Sequence, residues 1–459
     1  MSLHYAKCQT VNSTQTPQLT LSRPELFALA CSVGLVPLNS TMIAVAIPAI
    51  ATDLAVLPAQ LVQWLVSSYL LVSIVAQSPA GKLGDRWGHG RMLRWGQLIF
   101  AAGSVAGYLA HAMPVLAVAR ILMALGGAIM VPGAMATLRT SLPEAQRAKA
   151  FGAFGSVMAL SAAIGPLVGG EIAARFGWDA LFLVNIVPLG LVAATAAYKR
   201  PGVPRPLVDR PKSRFDLLGS ALLAIGLAML VTAARNIQDA FPLVIVGVGA
   251  LFVFVWWELR TEDPVIDLKL FTRRAFTAGA CIVGLQNFAM YALLFELPLV
   301  FSQSFQATPA ESGRALLALT LAMVVGSTVG GHTAARLGFR RAAIIGTTVA
   351  LTGGILLWLN PLVSVASSFL TLLALGLGLG LSTPAANSAS MSAVRGSESG
   401  MGSAVSGTLR YLGGVAGVAM VSALATTDVL LHALQLSSVV FVFALALALV
   451  LACSIPKSR

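Results

Sequence analysis

Long apolar runs separated by short polar segments fill the chain from about residue 26 onward. A helix that crosses a bilayer needs about 20 mostly apolar residues in a row, and fourteen stretches meet that requirement. The predicted spans are 26–50, 59–79, 94–112, 115–138, 150–173, 179–198, 216–234, 241–258, 276–301, 313–334, 341–359, 361–386, 402–425 and 435–454. The pattern therefore predicts an all-α integral membrane protein with fourteen transmembrane helices.

One polar segment occurs twice, 250 residues apart. The sequence GKLGDRWGHGR at 81–91 returns as GHTAARLGFRR at 331–341, with two glycines and two arginines at matching places. We interpret each copy as a short basic loop between two apolar runs. A duplicated loop indicates two similar halves, an arrangement that is common in transporters, where the substrate path lies between the halves.

The duplication also divides the chain into regions, because six spans precede the segment 199–274 and six follow it. We predict an N-terminal tail at 1–25, a six-helix bundle at 26–198, a linker with an inserted two-helix hairpin at 199–274, and a second six-helix bundle at 275–459. The linker begins with KRPGVPRP, which is too basic and too rich in proline to cross a membrane.

Composition excludes several other classes of protein. The chain is 57% hydrophobic and 10% charged, whereas a soluble domain has about 25% charged residues. Its four cysteines and five histidines show no spacing typical of disulfides or metal sites, so we expect no metal, no cofactor and no enzymatic activity. Leu83 follows Gly81-Lys82 where a phosphate-binding loop needs Ser or Thr. An ion gradient is therefore the expected energy source.

The net charge of +13 is distributed as in a polytopic membrane protein. With the N-terminus inside, the outer segments hold only Arg175, Arg235 and Arg314, and Arg120 and Arg410 fall within spans, which leaves 25 of the 30 basic residues inside. This positive-inside bias predicts that both termini are cytoplasmic. It also explains the basic balance without a nucleic-acid partner.

Several segments resemble the major facilitator superfamily. Residues 81–91 are similar to its loop between the second and third helices, and the order six, two, six resembles its 14-helix drug:proton antiporter branch. Residues 38–48 (LNSTMIAVAIP) and 178–188 (WDALFLVNIVP) resemble that branch's first-helix and sixth-helix patterns. The residues that match the fifth-helix antiporter motif are Gly152, Ser161, Gly165, Pro166, Gly169 and Gly170. Ser161 departs from the motif, which usually has glycine at that place.

The resemblance implies a secondary active transporter of the bacterial inner membrane. Two six-helix bundles would rock around a central cavity and exchange inward protons for outward small organic or drug-like molecules, with the small residues of the fifth helix sealing the cytoplasmic side during outward opening. We expect a monomer in the lipid bilayer. The alternative is a dedicated metabolite exporter or a nutrient importer of the same fold.

Charged residues inside spans are the candidates for coupling. Such residues are costly in a bilayer and usually face a cavity or a partner. Arg120 matches the arginine of the family's fourth-helix motif, which is associated with proton coupling, and Glu296 lies just before Pro298 in the ninth span. For Glu296 the alternative is a side chain that reaches the outer membrane surface. For Arg410 a structural salt bridge is the alternative to a place in the substrate cavity.

The predicted cavity is lined by polar residues of the first and ninth spans, namely Asn39, Gln286, Asn287 and Tyr291. The first-helix signature usually carries an aspartate where this chain has Asn39. An amide cannot take up a proton or attract a cation, so we expect another acid to carry the proton and we hypothesise a preference for neutral or anionic compounds.

The repeated segment supplies a predicted gate on the cytoplasmic side, formed by Gly81, Gly84, Asp85, Arg86, Gly88 and Arg91. Asp85 is predicted to lie near the N-terminus of the thirteenth helix, around 396–402, where the helix dipole favours an anion. Ala335 takes its place in the second copy, so this contact would be one-sided. The alternative is a solvated acid with no gating role.

Overall fold

The computed structural model describes residues 23–142, 144–186, 189–190, 216–235, 240–261, 264–360, 363–394, 399–424 and 430–456. The helices in this part are α1 (Arg23–Asp53), α2 (Pro58–Leu61), α3 (Ser68–Trp87), α4 (His89–Tyr108), α5 (Met113–Ser141), α6 (Glu144–Phe176), α7 (Ala180–Leu183), α8 (Leu217–Arg235), α9 (Ala240–Glu258), α10 (Arg274–Phe305), α11 (Pro309–Leu337), α12 (Phe339–Leu359), α13 (Ser368–Ser392), α14 (Ser399–Leu424) and α15 (Leu430–Ser454). A π-helical turn, Val62–Ser67, joins α2 to α3, and a 3-10 helix, Leu268–Thr272, precedes α10.

The described part is helical throughout and contains no strand. Eleven of its helical segments are long and apolar enough to cross a membrane. Helix α8 is apolar over the shorter stretch Leu217–Ala233, and α4 carries the third predicted span. Half of the sixth predicted span, 179–198, falls outside the described residues. The described chain thus has eleven to thirteen apolar helices, and the count of fourteen stays a prediction.

The repeated segments occupy the same structural position, but they are not loops as the sequence suggested. Helix α3 runs to Trp87 and α4 begins at His89, so Gly88 alone separates them. Gly338 separates α11 from α12 in the same way, and both glycines have positive φ, +91° and +83°. Loss of apolar character marks where a helix leaves the bilayer, whereas the helix ends only where glycine adopts this backbone conformation.

The helices pack in two groups, α1–α6 and α10–α15. Contacts between the groups run mainly along α6 with α11, α1 with α10, and α3 with α14. We name the helix ends inner and outer according to the orientation that the basic residues predict. Many contacts pair a glycine with the backbone of a neighbouring helix, as where Gly96 of α4 meets Gly126 of α5. Small residues allow such close approach in a bilayer.

Helices α8 and α9 form the hairpin predicted between the two groups. Trp257 of α9 donates its indole N–H to both carboxylate oxygens of Asp216, at 2.9 and 3.0 Å, and the backbone N–H of Gly219 donates to the same group at 2.7 Å. Helix α8 lies against both α3 and α14. The hairpin therefore covers a place where the two groups of helices meet.

Candidate functional site

Arg120, in the outer part of α5, has a fully buried side chain. Its Nε donates to the backbone carbonyl of Leu65 at 3.1 Å, and its Nη1 donates to Oδ1 of Asn39. Its guanidinium carbon lies 4.4 Å from the centroid of the Tyr69 ring, a cation–π distance. Within the described residues its Nη2 has no hydrogen-bond partner. Arg120 therefore ties α1 and the π-helical turn together and retains one donor that the protein does not use.

The Leu65 carbonyl, which accepts the hydrogen bond from Nε of Arg120, belongs to the π-helical turn Val62–Ser67. A π turn shifts the backbone hydrogen bonds out of the α-helical register, and such turns are frequent at functional sites. The turn has the sequence VQWLVS, which contains neither proline nor glycine, and this pattern does not predict a π turn. Its only local signal is polar: Gln63 and Ser67 are both buried in an otherwise apolar span.

Three tyrosines from three helices lie near one another, and we call them the tyrosine cluster: Tyr69 of α3, which contacts Arg120, Tyr291 of α10 and Tyr411 of α14. Their phenol groups lie within electrostatic range of one another. Because α3 belongs to the first group of helices and α10 and α14 belong to the second, the cluster bridges the two groups. Sequence patterns predict only Tyr291 among the three.

The polar neighbours of the tyrosine cluster also come from both groups of helices. The hydroxyl of Tyr291 faces Ser40 of α1, and its ring packs on Gly414 of α14. The hydroxyl of Tyr411 faces the side chain of Gln77 on α3. A movement of one group against the other would therefore change the surroundings of each of these phenols.

Arg410 of α14 lies beside the tyrosine cluster and has an exposed side chain. It makes no hydrogen bond or ion pair with the residues that the structure describes, so its alternative role in a structural salt bridge finds no partner there. Among the residues predicted from the sequence, the structure brings together Asn39, Arg120, Tyr291 and Arg410.

Gln286 and Asn287 of α10 lie in different surroundings. The Gln286 amide donates to Oγ of Ser382 at 2.6 Å and accepts from Oγ1 of Thr383 at 2.9 Å, so it links α10 to α13 and is buried. Asn287 is partly exposed and donates to the carbonyl of Val283 within its own helix, at 2.8 Å. Gln286 thus has both of its polar atoms engaged by the protein.

Glu296 is buried on α10, with 2% of its surface exposed. Its Oε1 accepts from Oγ of Ser437 on α15 at 2.7 Å, and its Oε2 has no partner among the described residues. Because Ser437 belongs to the second group of helices, the carboxyl group faces the interior of that group. The structure does not bring Glu296 into the tyrosine cluster.

The small residues of α6 pack against two helices. A side-chain carbon at Gly165 or Gly169 would collide with α1, and one at Gly170 would collide with the backbone of Pro309 on α11. In return, a carbon at Gly313 of α11 would collide with the carbonyl of Pro166. The Gly165–Gly170 segment therefore joins α6 to both neighbours in its outer half, while Gly152 lies nearer the inner end.

The departure from the fifth-helix pattern at Ser161 is matched by a small residue on the facing helix. A side-chain carbon at Gly34 of α1 would lie 2.7 Å from Oγ of Ser161. Gly34 of α1, which has no side chain, thus leaves room for the hydroxyl group of Ser161. The helices keep a close approach although the sequence pattern is altered.

Polar contacts reinforce the pairing of α6 with α11. Arg314 of α11 donates to Oε1 of Glu171 on α6 from Nη2 at 2.7 Å and from Nε at 3.1 Å. Arg175 of α6 donates to Oε2 of the same glutamate at 3.0 Å. Thr320 donates to the carbonyl of Ala163 at 2.7 Å. The Glu171–Arg314 pair joins the two groups on the outer side, the Thr320 hydrogen bond joins them nearer the middle of both helices, and the Arg175 contact lies within α6.

The predicted gate is described only in part. Gly81 and Gly84 lie in the last turns of α3, Arg86 and Arg91 have exposed side chains, and Gly88 forms the break described above. The side chain of Asp85 lies outside the described residues, as do 395–398 in its predicted partner segment. The contact of Asp85 with the thirteenth predicted helix stays a prediction.

A family model described as Major Facilitator Superfamily matches residues 29–418. The chain is 34% identical over 364 residues to the tetracenomycin C resistance and export protein of Streptomyces glaucescens, covering 77% of this chain and 67% of that one. It is 30% identical to the riboflavin transporter RibZ of Clostridioides difficile, covering 86% and 87% of the two chains. It is 29% identical to the multidrug transporter protein MdtP of Bacillus subtilis, covering 84% and 72%.

The fold is similar to that of solved transporters. The crystal structure of a D-xylose-proton symporter aligns with a TM-score of 0.71 and 14% identity, covering 95% of this chain and 98% of that one. At such low identity the likeness concerns the fold alone.

Proposed function

This chain belongs to the major facilitator superfamily, and on that premise we propose that it exports small organic molecules in exchange for protons by alternating access. Transporters of this family are not enzymes, and the relatives above are named as transporters or export proteins. The chain is a multi-pass membrane protein. We propose the inner membrane of a bacterium as its location, with both termini cytoplasmic and the monomer as the working unit.

The observation that carries the direction of transport is the fifth-helix motif, which goes with export in the proteins that it resembles. Its glycines pack on α1 and α11, and Gly170 and Gly313 place the α6 and α11 backbones in direct contact. This contact lies on the outer side, whereas the sequence predicted a seal on the cytoplasmic side. The relative from Streptomyces glaucescens, named as an export protein, supports the same direction.

Coupling to protons is proposed to rest on Glu296 and Arg120. A carboxyl group can bind and release a proton, whereas Asn39 cannot. Glu296 is buried, with one oxygen held by Ser437 and the other unpaired among described residues, so a change in its protonation alters the packing of α10 on α15. Arg120 keeps its charge throughout and links α1 to the turn that precedes α3, both of which lie beside α10 or α14.

A narrower substrate range is the second candidate function. The relative named as a riboflavin transporter supports a dedicated metabolite exporter of the same fold. An importer is the remaining alternative. The two classes differ in breadth of substrate and in direction, and a single transport assay separates them.

The test uses the full chain in inverted membrane vesicles of an efflux-deficient bacterium, with a panel of fluorescent drugs. We expect uptake into the vesicles that starts when the interior is acidified and stops when a protonophore is added. In Glu296→Gln we expect gradient-driven uptake to be lost while exchange of labelled for unlabelled drug persists. Glu311→Gln, which alters an exposed acid at the start of α11 and keeps a capping side chain there, is the control. Uptake that ignores the proton gradient, or that occurs only in right-side-out vesicles, contradicts the proposal.

A further inference from the structure

Two arginines lie beside the tyrosine cluster, and no carboxylate of the described residues interacts with its phenols. Arg120 contacts Tyr69, and Arg410 lies near Tyr291 and Tyr411. Glu296 of α10 is a buried acid within a span, but its carboxylate accepts a hydrogen bond from Ser437 of α15 and does not face the tyrosine cluster. The place where the two groups of helices meet therefore carries an excess of positive charge.

That positive charge is not neutralised in the described structure. Charged side chains at membrane depth normally pair with an opposite charge or face an aqueous cavity. Arg120 instead has neutral acceptors, Leu65 and Asn39, and leaves Nη2 unused. Arg410 has no partner among the described residues. Arginine does not release its proton in proteins, so both charges stay uncompensated among the described residues, and a bound anion would compensate them.

The aromatic side chains add a second constraint on the ligand. Tyr291 and Tyr411 are partly exposed, so their rings have surface that a ligand can reach. Tyr69, whose ring covers one face of the Arg120 guanidinium, and Phe295, which lies nearly parallel to Tyr291, are buried. Flat aromatic molecules pack on accessible rings in offset or edge-to-face arrangements, and tyrosine hydroxyls supply hydrogen bonds at the ring edge.

We propose that the tyrosine cluster, together with Arg120 and Arg410, binds planar aromatic anions, and that these are the preferred substrates. This inference rests on the proposed function in one respect, because it takes the tyrosine cluster to lie on the transport path. The exposed Arg410 contacts the carboxylate or phenolate of the ligand directly. The buried Arg120 contributes positive potential from behind Tyr69, in surroundings where charge is weakly screened.

The same arrangement rejects cations. A cationic aromatic compound gains the same stacking, but it meets two positive charges that have no described counter-ion. Discrimination then comes from an unfavourable contact as well as from a favourable one. A pair of dyes with one ring system and opposite charge separates stacking from charge.

The experiment measures binding of fluorescein and rhodamine 123 by fluorescence anisotropy to the full chain in lipid nanodiscs. Both dyes are xanthenes, the first anionic and the second cationic. We expect fluorescein to bind more tightly, and Arg410→Gln to weaken it about tenfold or more, as for loss of a hydrogen bond to a charged group. Arg410→Lys should retain part of the affinity. Arg260→Gln, which removes a cation on the hairpin, should leave it unchanged.

A second variant reverses the preference. Asn39→Asp gives Arg120 a counter-ion, so we expect fluorescein to bind more weakly and rhodamine 123 more tightly. Preference of the unaltered chain for rhodamine 123, equal binding of the two dyes, binding of neither, or no effect of Arg410→Gln overturns the proposal. Binding is measured without a proton gradient, so a failure of proton-coupled export does not change the measured dye preference. If the chain exports only cations in exchange for protons, the proposed function holds and the proposed substrate class is wrong.

Discussion

Of the helix pairs that join the halves of this protein, two are related to each other by the internal repeat. One pair is α6 with α11, and the other is α14 with α3. Shifting the predicted span 150–173 by 250 residues places it on α14, and shifting 59–79 places it on α11. Despite this relationship the α6–α11 interface is much more extensive than the α3–α14 interface.

The chemistry of the two interfaces differs as much as their extent. The α6–α11 interface is built of glycines in contact with backbone and is closed on the outer side by an exposed ion pair between Glu171 and Arg314. The α3–α14 interface contains Tyr69, Gln77 and Tyr411, and α3 begins at a π-helical turn. The repeat therefore places the helices in equivalent positions, while the residues on their facing sides make one interface a close glycine contact and the other a polar one.

The inserted hairpin increases this asymmetry. Helix α8 lies against α3 and α14, whereas the α6–α11 interface has no such cover among the described helices. A loosely packed interface that carries polar side chains would expose them to lipid, which is unfavourable in a bilayer. We infer that the hairpin shields the α3–α14 interface while the two halves move.

The largest effect is expected from filling the tight interface. Gly313→Leu places a bulky side chain against the carbonyl of Pro166, and overpacking of this kind costs about 1–3 kcal/mol. We expect export from intact cells to be lost, because the outer side can no longer close. The matched control is Gly331→Leu on the same helix, where a side-chain carbon meets nothing within 4 Å. Equal loss in both variants would show that α6–α11 packing is not special.

The second prediction concerns the site beside the looser interface. Arg120→Lys retains the charge but not the planar group whose Nε and Nη1 reach acceptors on two different elements, and lysine does not reproduce such geometry. We expect transport to fall at least about tenfold with normal membrane expression. Arg260→Lys, at an arginine stacked 4.0 Å over Trp256, should transport normally. Wild-type transport by Arg120→Lys would mean that positive charge alone suffices there.

The sequence predicts those features of the structure that a single residue or a repeat determines. Gly88 and Gly338 are predictable because the repeat marks them and few other residues adopt positive φ. Arg120 is predictable because a charge inside an apolar run needs a role. In contrast, the helical ends of α3 and α11 extend past the apolar runs, since hydropathy reports the bilayer and not the helix.

Other parts of the site depend on how distant helices face one another. Tyr69 and Tyr411 are ordinary aromatic residues in apolar spans, and only the packing of α3 beside α14 gives them a common location. The π-helical turn at 62–67 has no local sequence cause such as proline or glycine. Gln286 was predicted to line the cavity on its polarity, but the facing residues Ser382 and Thr383 engage it, and one helix alone does not reveal such partners.

The third prediction tests whether the hairpin supports the α3–α14 interface. Trp257→Phe removes the indole N–H that both oxygens of Asp216 accept. A hydrogen bond to a charged group contributes about 1.5–3 kcal/mol, so we expect the melting temperature of the purified chain to fall by about 2–4 °C, with transport reduced less than in Arg120→Lys. Trp256→Phe, at the exposed neighbour, is the control. An unchanged melting temperature for Trp257→Phe would show that the hydrogen bonds between Trp257 and Asp216 do not stabilise the hairpin.

The smallest effect is expected at the ion pair on the outer side of the α6–α11 interface. Glu171 and Arg314 have side chains that are 27% and 59% exposed, and exposed pairs contribute little because water and salt screen them. Glu171→Gln should therefore shift the halves only slightly toward the outward-open state, and the shift should vanish at high salt. Spin labels on the outer ends of α6 and α11 report it as a longer mean distance. Arg175→Gln removes only the pair within α6 and should leave that distance unchanged. A large, salt-independent opening would instead identify the ion pair, and not the glycine packing, as the main outer closure.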